Sequence, residues 1–433
     1  MAQGSAVLFA AQVIGNAGFF AAVLILARGL GPAGRGAVAF FIVTTMVTAR
    51  AAGIGVREAT TVFAARDPLK RPVLLSNLAL ASVASGALGG VLVSGALALL
   101  AGVRPAGIGP AELAALGLGV VAVALVDGGY SFLLGCSRFR LQGLVTASSS
   151  WVYAAALLAL WASGGITVTS AAIAWTAGLW LRALFVFWSC ARFNGLGRPS
   201  LSLLRESIAF GCRAWIGSLA RFANFRADQV LMGFIASEAT LGIYAVAVNA
   251  SEILLYFPEA TAMALLPAIV RADPERRAEQ ALRAFRSLAL ITVGSIAVAV
   301  VVGAPLLPVI FGSKFAGSTG PFLWLLPGAI GYAALGVFSN TLMPSSPGLS
   351  SFGAFVALVV GFGLDVLLIP PFGASGAAAA ASAAFLLGGA TALLAYRSRT
   401  PFAWRSLLIP RQGDLDFLGA LIRLPFRLRA RPS

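Results

Sequence analysis

The stretch LALITVGSIAVAVVVGAPLLPVIF, residues 288–311, runs for 24 positions without a charged side chain. About 20 consecutive apolar residues, wound as a helix, cross the roughly 30 Å hydrocarbon layer of a bilayer. Working outward, eleven further segments read the same way, at roughly 6–27, 37–56, 74–100, 111–136, 144–163, 169–191, 207–235, 242–265, 320–342, 350–371 and 376–396. Strand-like alternation is missing, which excludes an outer-membrane barrel. The expected fold is an all-α polytopic membrane protein with about 12 transmembrane helices. Composition agrees: of 433 residues, 59% are hydrophobic and 11% charged, with a mean hydropathy of +0.92. Soluble domains carry about 45–50% apolar and roughly 25% charged residues, so a cytosolic enzyme is excluded. The first segment starts almost at Met1, with no basic leader and no small-residue cleavage site, and reads as a retained helix.

The formal net charge is +16. In a soluble chain this would suggest nucleic acid; in a membrane protein it is read by the positive-inside rule. With the N-terminus inside, the inner loops and the tail from Arg397 hold twenty-two basic residues. The opposite side holds only Arg28, Arg35, Arg104 and Lys314. Both termini are therefore expected in the cytoplasm, the charge anchors topology, and no nucleic-acid partner is expected. Histidine is absent, and Cys136, Cys190 and Cys212 form no CxxC pair, so packing thiols and no metal site are expected. The basic tail 399–433 either lies on anionic lipid or is simply solvated.

A repeat at one offset organises the chain. Gly36 in LGPAGRGAVA aligns with Gly242 in ATLGIYA, and Ser170-Ala-Ala172 aligns with Gly376-Ala-Ala378; both pairs stand 206 residues apart. Two six-helix lobes follow, 1–205 and 206–398. Because six is even, they share one orientation, the parallel repeat that places a substrate site between lobes.

Several motifs in this frame resemble bacterial polysaccharide flippases. Leu241-Gly-Ile-Tyr-Ala-Val-Ala-Val-Asn-Ala250 leads through Pro258 to Leu265-Leu-Pro267. Val309-Ile-Phe-Gly-Ser-Lys-Phe315 precedes Trp324-Leu-Leu-Pro-Gly328, and Asp365-Val-Leu-Leu-Ile-Pro-Pro-Phe-Gly-Ala-Ser-Gly-Ala-Ala378 is the strongest match. Ala27-Arg-Gly-Leu-Gly-Pro32 and Gly135-Cys-Ser-Arg-Phe139 fit as well. Together they resemble the Wzx-type oligosaccharide flippases of the multidrug/oligosaccharidyl-lipid/polysaccharide exporter superfamily, which has the MATE-like arrangement of lobes. The family's usual Asn before Leu-Ile-Pro is Asp365 here. The resemblance implies a carrier in the bacterial cytoplasmic membrane that moves a polyprenyl-pyrophosphate-linked oligosaccharide by alternating access for surface polysaccharide biosynthesis.

Sugars and pyrophosphate cannot cross hydrocarbon unsolvated, so such a carrier needs a wet, cationic cavity. Arginine suits it, because its planar fork meets phosphate oxygens bidentately and stays charged. Charges within spans cost about 2.5–3.5 kcal/mol each on insertion scales, so they generally face a cavity or a partner. Arg213, Gly217, Arg221, Asn224 and Asp228 recur at spacings of four, four, three and four along one face of the seventh helix. The stripe rises about 22 Å. It reads as cavity lining; the alternative is that Arg213 snorkels while Arg221 and Asp228 pair. Arg226 lies off the stripe but within reach. Arg50 lies inside the second helix; related lipid II flippases have a second-helix arginine lining the cavity, which it resembles, with snorkelling as the alternative. Arg28 reads as an interface anchor and Arg182 as a snorkelling group. Asp228 and Asp365 are ion-coupling candidates: the related flippases have a sodium site on the corresponding helices, and a carboxylate could carry Na⁺ or H⁺. Asp127, Glu252 and Glu259 are further membrane carboxylates without an assigned role.

Pro258, Pro305, Pro308 and Pro327 interrupt C-lobe helices and suit bending. A drug exporter of the same superfamily is the first alternative, although its cavity should be acidic. A glycan polymerase or ligase is the second, opposed by short outer loops with no acid/base pair. The expected partners are the lipid-linked glycan, membrane lipids and, plausibly, a glycan polymerase, with a monomer as the default state.

Overall fold

The structure is a computed structural model. It describes residues 2–100, 102, 104–271, 274–343 and 346–408, with side chains over these except at 2–7, 9, 255–271, 274–277, 347 and 408. The expectations placed on Pro258, Glu259, Leu265-Leu-Pro267 and most of the 399–433 tail lie outside the described side chains. The chain divides into two compact units, Met1–Gly242 and Ile243–Ser433. The repeat sets its boundary at 205/206, whereas packing places the seventh helix with the first unit.

In that first unit, α1 (Ala2–Ala52) covers two of the expected segments and is broken at Gly31, whose φ of 67° suits glycine. Pro32 follows, taking a position where its missing N–H costs nothing. After it come α2 (Val56–Arg66), α3 (Arg71–Leu99), α4 (Pro110–Gly135), α5 (Phe139–Ala162), α6 (Val168–Asn194) and α7 (Leu201–Ile235). Arg35, counted above among loop charges, lies within α1 and is only 4% exposed, with Arg226 and Tyr153 as electrostatic neighbours.

The N-termini of α6 and α7 are fixed by side-chain caps. Thr167 caps α6 by accepting from Ser170 N at 3.0 Å, and Ser200 caps α7 by accepting from Leu203 N at 3.4 Å. The buried Asn77 of α3 clamps the same Ser200 backbone, donating to its carbonyl and accepting from its amide, both at 2.9 Å. A core of Val56, Leu74, Leu75, Leu78, Phe132, Leu133 and Val186 then joins α2, α3, α4 and α6. Its Val56 and Leu78 also line a cleft between α1, α2 and α4.

The second unit takes most of α8 (Glu238–Arg271), then α9 (Pro274–Val298), α10 (Ala304–Phe311), α11 (Thr319–Leu325), α12 (Gly328–Leu342), α13 (Pro347–Arg399) and α14 (Trp404–Leu408). A π-helical turn at Ala299–Gly303 joins α9 to α10, so the run at 288–311 crosses as a bulged rather than a straight helix. In α13 the break falls at Gly373, with φ 55°. Its core gathers Leu282, Leu288, Phe338, Leu342 and Tyr396 from α9, α12 and α13.

Among the described residues, seven helices are long and apolar enough to cross a membrane, and a bent pair at 43°, Ser313–Leu325 with Gly328–Leu342, is a further candidate. Two of the seven, α1 and α13, contain a broken pair of expected segments. The charges of α7 separate it from that set. The chain is thus an all-α, multi-pass membrane protein.

Two glycines of the motifs at the 206-residue offset meet directly. A Cβ on Gly36 would sit 1.9 Å from the Glu238 carbonyl oxygen and 2.9 Å from Gly242 N. A Cβ on Gly242 would sit 1.9 Å from the Pro32 carbonyl oxygen and 3.0 Å from Gly36 N. Glu238 and Pro32 are themselves 206 residues apart, so each contact maps onto the other under the repeat offset.

Candidate functional site

Between α1 and α2 the chain turns through Gly53-Ile54-Gly55. Ile54 has φ 35° and Gly55 φ 84°. Backbone of α7 presses against this turn: a Cβ on Gly55 would lie 2.4 Å from the Gly211 carbonyl carbon, and one on Gly211 would lie 1.9 Å from the Gly55 carbonyl oxygen. The contact fixes which face of α7 meets α1 and α2. Trp215, Ser218 and Phe222 share that face with Gly211, being spaced at three and four residues. Trp215 Nε1 donates to the Arg50 carbonyl at 2.8 Å, and the Phe222 ring lies 4.7 Å from the Arg50 guanidinium.

These elements border an open cleft lined by Arg50, Arg57, Glu58, Ser82, Asp127 and Trp215 among others. Its charges are paired. Arg50 Nε lies 2.7 Å from Asp127 Oδ2, and Arg57 Nη1 reaches the same oxygen at 3.2 Å. Arg57 also donates to Glu58 Oε1 through Nε at 3.2 Å and to Ser218 Oγ at 3.3 Å. Ser218 in turn donates to Glu58 at 2.8 Å. Burial pushes the Glu58 carboxyl up, but the Arg57 charge and the hydrogen bonds from Arg57 and Ser218 outweigh it, holding the group below its ordinary value. The two arginines differ in one respect. Arg57 is hydrogen-bonded on several sides, whereas the Arg50 Nε–H is not aimed at Asp127 and makes no hydrogen bond. The Arg50–Asp127 contact is therefore an ion pair at 2.7 Å without hydrogen-bond alignment, and among the described residues the Arg50 guanidinium donates no hydrogen bond.

Of the residues singled out from sequence, Arg50 lines this cleft. Arg213 and Arg221 are exposed, and Gly217 and Asn224 are half-buried. Their stripe centres about 130° around α7 from the Trp215 face. The Arg221 side chain folds back along its helix toward Gly217. Asn224 Nδ2 donates to the Ala220 carbonyl at 3.0 Å, and Arg226 Nη1 to the Phe225 carbonyl at 3.2 Å. Asp228 is buried at 9% exposure, accepting from Gln229 N at 2.7 Å, and Asp365 is buried at 4% in the second unit. Arg28 is exposed and Arg182 half-buried.

Sequence reasoning did not group Arg57, Glu58, Trp215 and Ser218 with Arg50, and it left Asp127 without a role. One signal was available for Arg57. It follows Arg50 by seven residues, two helical turns, across a glycine-flanked break. Asp127 carried a weaker one, as an isolated carboxylate in an otherwise apolar span.

Solved structures share this architecture. Lipid II flippase MurJ in an inward closed conformation aligns with a TM-score of 0.73 at 15% identity, covering 100% of this chain and 94% of that one. A multidrug resistance MATE family transporter of the MOP superfamily, inward-facing, gives 0.72 at 15% identity, covering 89% and 94%. An outward-facing transporter of that description gives 0.59 at 19% identity, covering 97% and 96%. No curated protein matches this sequence. The family described as "Polysaccharide biosynthesis protein" matches residues 25–319, more than half of the chain. The chain belongs to that polysaccharide biosynthesis family, and it shares its fold with a lipid II flippase and with MATE transporters.

Proposed function

We propose that the protein flips a polyprenyl-pyrophosphate-linked oligosaccharide across the bacterial cytoplasmic membrane by alternating access. In this reading it has twelve spans, both termini in the cytoplasm, two six-helix lobes, and the 399–433 tail on the inner side. The observation that carries the substrate class is Arg50. Its guanidinium stands in a cleft within reach of polar groups, with donors not committed to hydrogen bonds. An unused planar fork in a membrane protein is suited to phosphate oxygens, which accept two parallel N–H bonds. Family membership supplies the glycan, since the substrate of polysaccharide assembly in membranes is carried on a lipid. Arg213, Arg221, Asn224 and Arg226 extend the substrate path along α7, and the buried carboxylates Asp228 and Asp365 are the coupling groups for Na⁺ or H⁺. The chain acts as a monomer that passes its product to a glycan polymerase.

The test is complementation of a strain lacking this gene. Arg50→Gln should cut surface glycan by about tenfold or more, the loss expected for a charged hydrogen-bonding partner. Arg50→Lys should restore part of it by keeping the charge. Glycan display equal to that of the unaltered protein in Arg50→Gln, at equal protein level in the membrane, overturns the reading.

A further inference from the structure

Two guanidiniums meet on one carboxylate oxygen in the cleft: Asp127 Oδ2 is 2.7 Å from Arg50 and 3.2 Å from Arg57. A phosphate oxygen held between two arginines would occupy that position. Three observations say that Asp127 keeps the place rather than locking it.

The first is the Arg50 contact, which is charge without a hydrogen bond. Nothing directional is lost if another anion replaces the carboxylate. The second is anchorage. Glu58, the other carboxylate, is fastened by Arg57 and by the Ser218 hydroxyl. Asp127 has the two arginines as its side-chain partners and lies on the cleft wall, with 24% of its side chain exposed. The third is charge. Arg50 and Arg57 balance Glu58 and Asp127, so the empty cleft is neutral. A diphosphate entering beside both carboxylates would meet two like charges within a few ångströms, which disfavours it. A carboxylate must leave, and Asp127 is the one less held.

We infer that Asp127 is a resident counter-ion that the diphosphate of the substrate displaces, and that Arg57 is the second phosphate-binding residue beside Arg50. This rests on the reading of the cleft as the diphosphate site. The exchange gives the carrier an internal anion for its empty state, so that Arg50 and Arg57 never face the membrane interior unbalanced. It also ties binding to α4, because release of Asp127 cuts the ionic link from α4 to both α1 and α2.

The experiment uses the full chain in lipid nanodiscs, titrated with farnesyl diphosphate by calorimetry. Asp127→Asn removes the competitor and should bind about tenfold more tightly than the unaltered chain, within the range seen for single desolvated charges. Asp127→Glu, which keeps the carboxylate, should stay near the unaltered value, and Arg57→Gln should bind about tenfold more weakly. Inorganic pyrophosphate forms the second arm. An equal gain there assigns the site to diphosphate as such, and a gain with the prenyl probe alone assigns it to the lipid-linked form. A merely structural Asp127 predicts the opposite sign, weaker binding in Asp127→Asn. Equal or weaker binding in that variant, with the elution profile of the folded protein, overturns the inference while leaving the site reading intact. Binding of neither probe to any variant overturns both. If Asp127→Asn fails to fold, Arg57→Gln decides, since unchanged binding there removes the second phosphate ligand.

Discussion

Two regions of the first unit are built on opposite principles. At Gly36 and Gly242, and again at Gly55 and Gly211, backbone lies against backbone with no room for a methyl group. At the cleft, four charged side chains share partners, and Arg50 meets its carboxylate as an ion pair without hydrogen-bond alignment. Steric contact is steep in distance and cannot be exchanged for anything else. Charge pairing falls off slowly and accepts any partner of the right sign. The glycine contacts therefore suit parts that must keep their register, and the charged cleft suits a part that must accept and release an anion. In membranes the division is sharpened, because small residues are what let helices approach closely when lipid offers no hydrophobic drive.

The largest effect should come from breaking the glycine side of this comparison. Gly36→Ala places a Cβ 1.9 Å from a backbone carbonyl, which only a shift of α1 against α8 could relieve. Overpacking of side chains typically costs about 1–3 kcal/mol, and a backbone clash belongs above that range. Little monodisperse protein should be recovered on size-exclusion chromatography in detergent. Because the contact maps onto itself under the 206-residue offset, Gly242→Ala should behave alike. A well-folded Gly242→Ala beside a lost Gly36→Ala would show that the reciprocity is geometric but not energetic.

A smaller effect separates Glu58 from its neighbours. Its carboxyl is held below its ordinary value in the folded chain. A depressed carboxylate contributes stability above its unfolded pKa, about 4.3, and that contribution disappears as pH falls through the lower, folded value. Melting temperature in detergent should therefore drop on acidification below that range, and Glu58→Gln should flatten this part of the profile. An unchanged acid limb in Glu58→Gln would mean that Ser218 and Arg57 do not favour the charged form in solution.

What the sequence made legible follows the same division. Long apolar runs declare membrane helices directly, so the all-α, multi-pass fold could be read from 288–311 and its counterparts. The offset of Gly36 from Gly242 could be read, although not that the two glycines meet. Arg50 stood out because a charge inside a span is rare. Its partners did not, because ion pairing is tertiary: Asp127 is 77 positions away on α4, and Arg57 was absorbed into a basic loop. On α7 the eye is drawn to the charged stripe 213–228, whereas the face that meets the cleft is set by the fit of Gly211 to Gly55. No periodicity encodes that fit, since Trp215, Ser218 and Phe222 look ordinary in a membrane helix.

The smallest effect lies where the two regions join. Ile54 sits between Gly53 and Gly55 with φ 35°, a backbone conformation poorly suited to a β-branched residue, and its side chain is 42% exposed. Holding a non-glycine residue there costs on the order of 1–3 kcal/mol, while glycine adds about 0.5–1 kcal/mol of unfolded-state entropy. Ile54→Gly should then stabilise the chain by about 0–2.5 kcal/mol, read as a rise of up to a few degrees in melting temperature. The turn, however, sets the spacing of Arg50 and Arg57 across the break between α1 and α2. A glycine triplet would loosen that spacing, so glycan export should fall modestly even as the melting temperature rises. A rise in both would mean that the steric contact of Gly55 with Gly211 alone positions the arginines, and that the strain at Ile54 serves no purpose in the cleft.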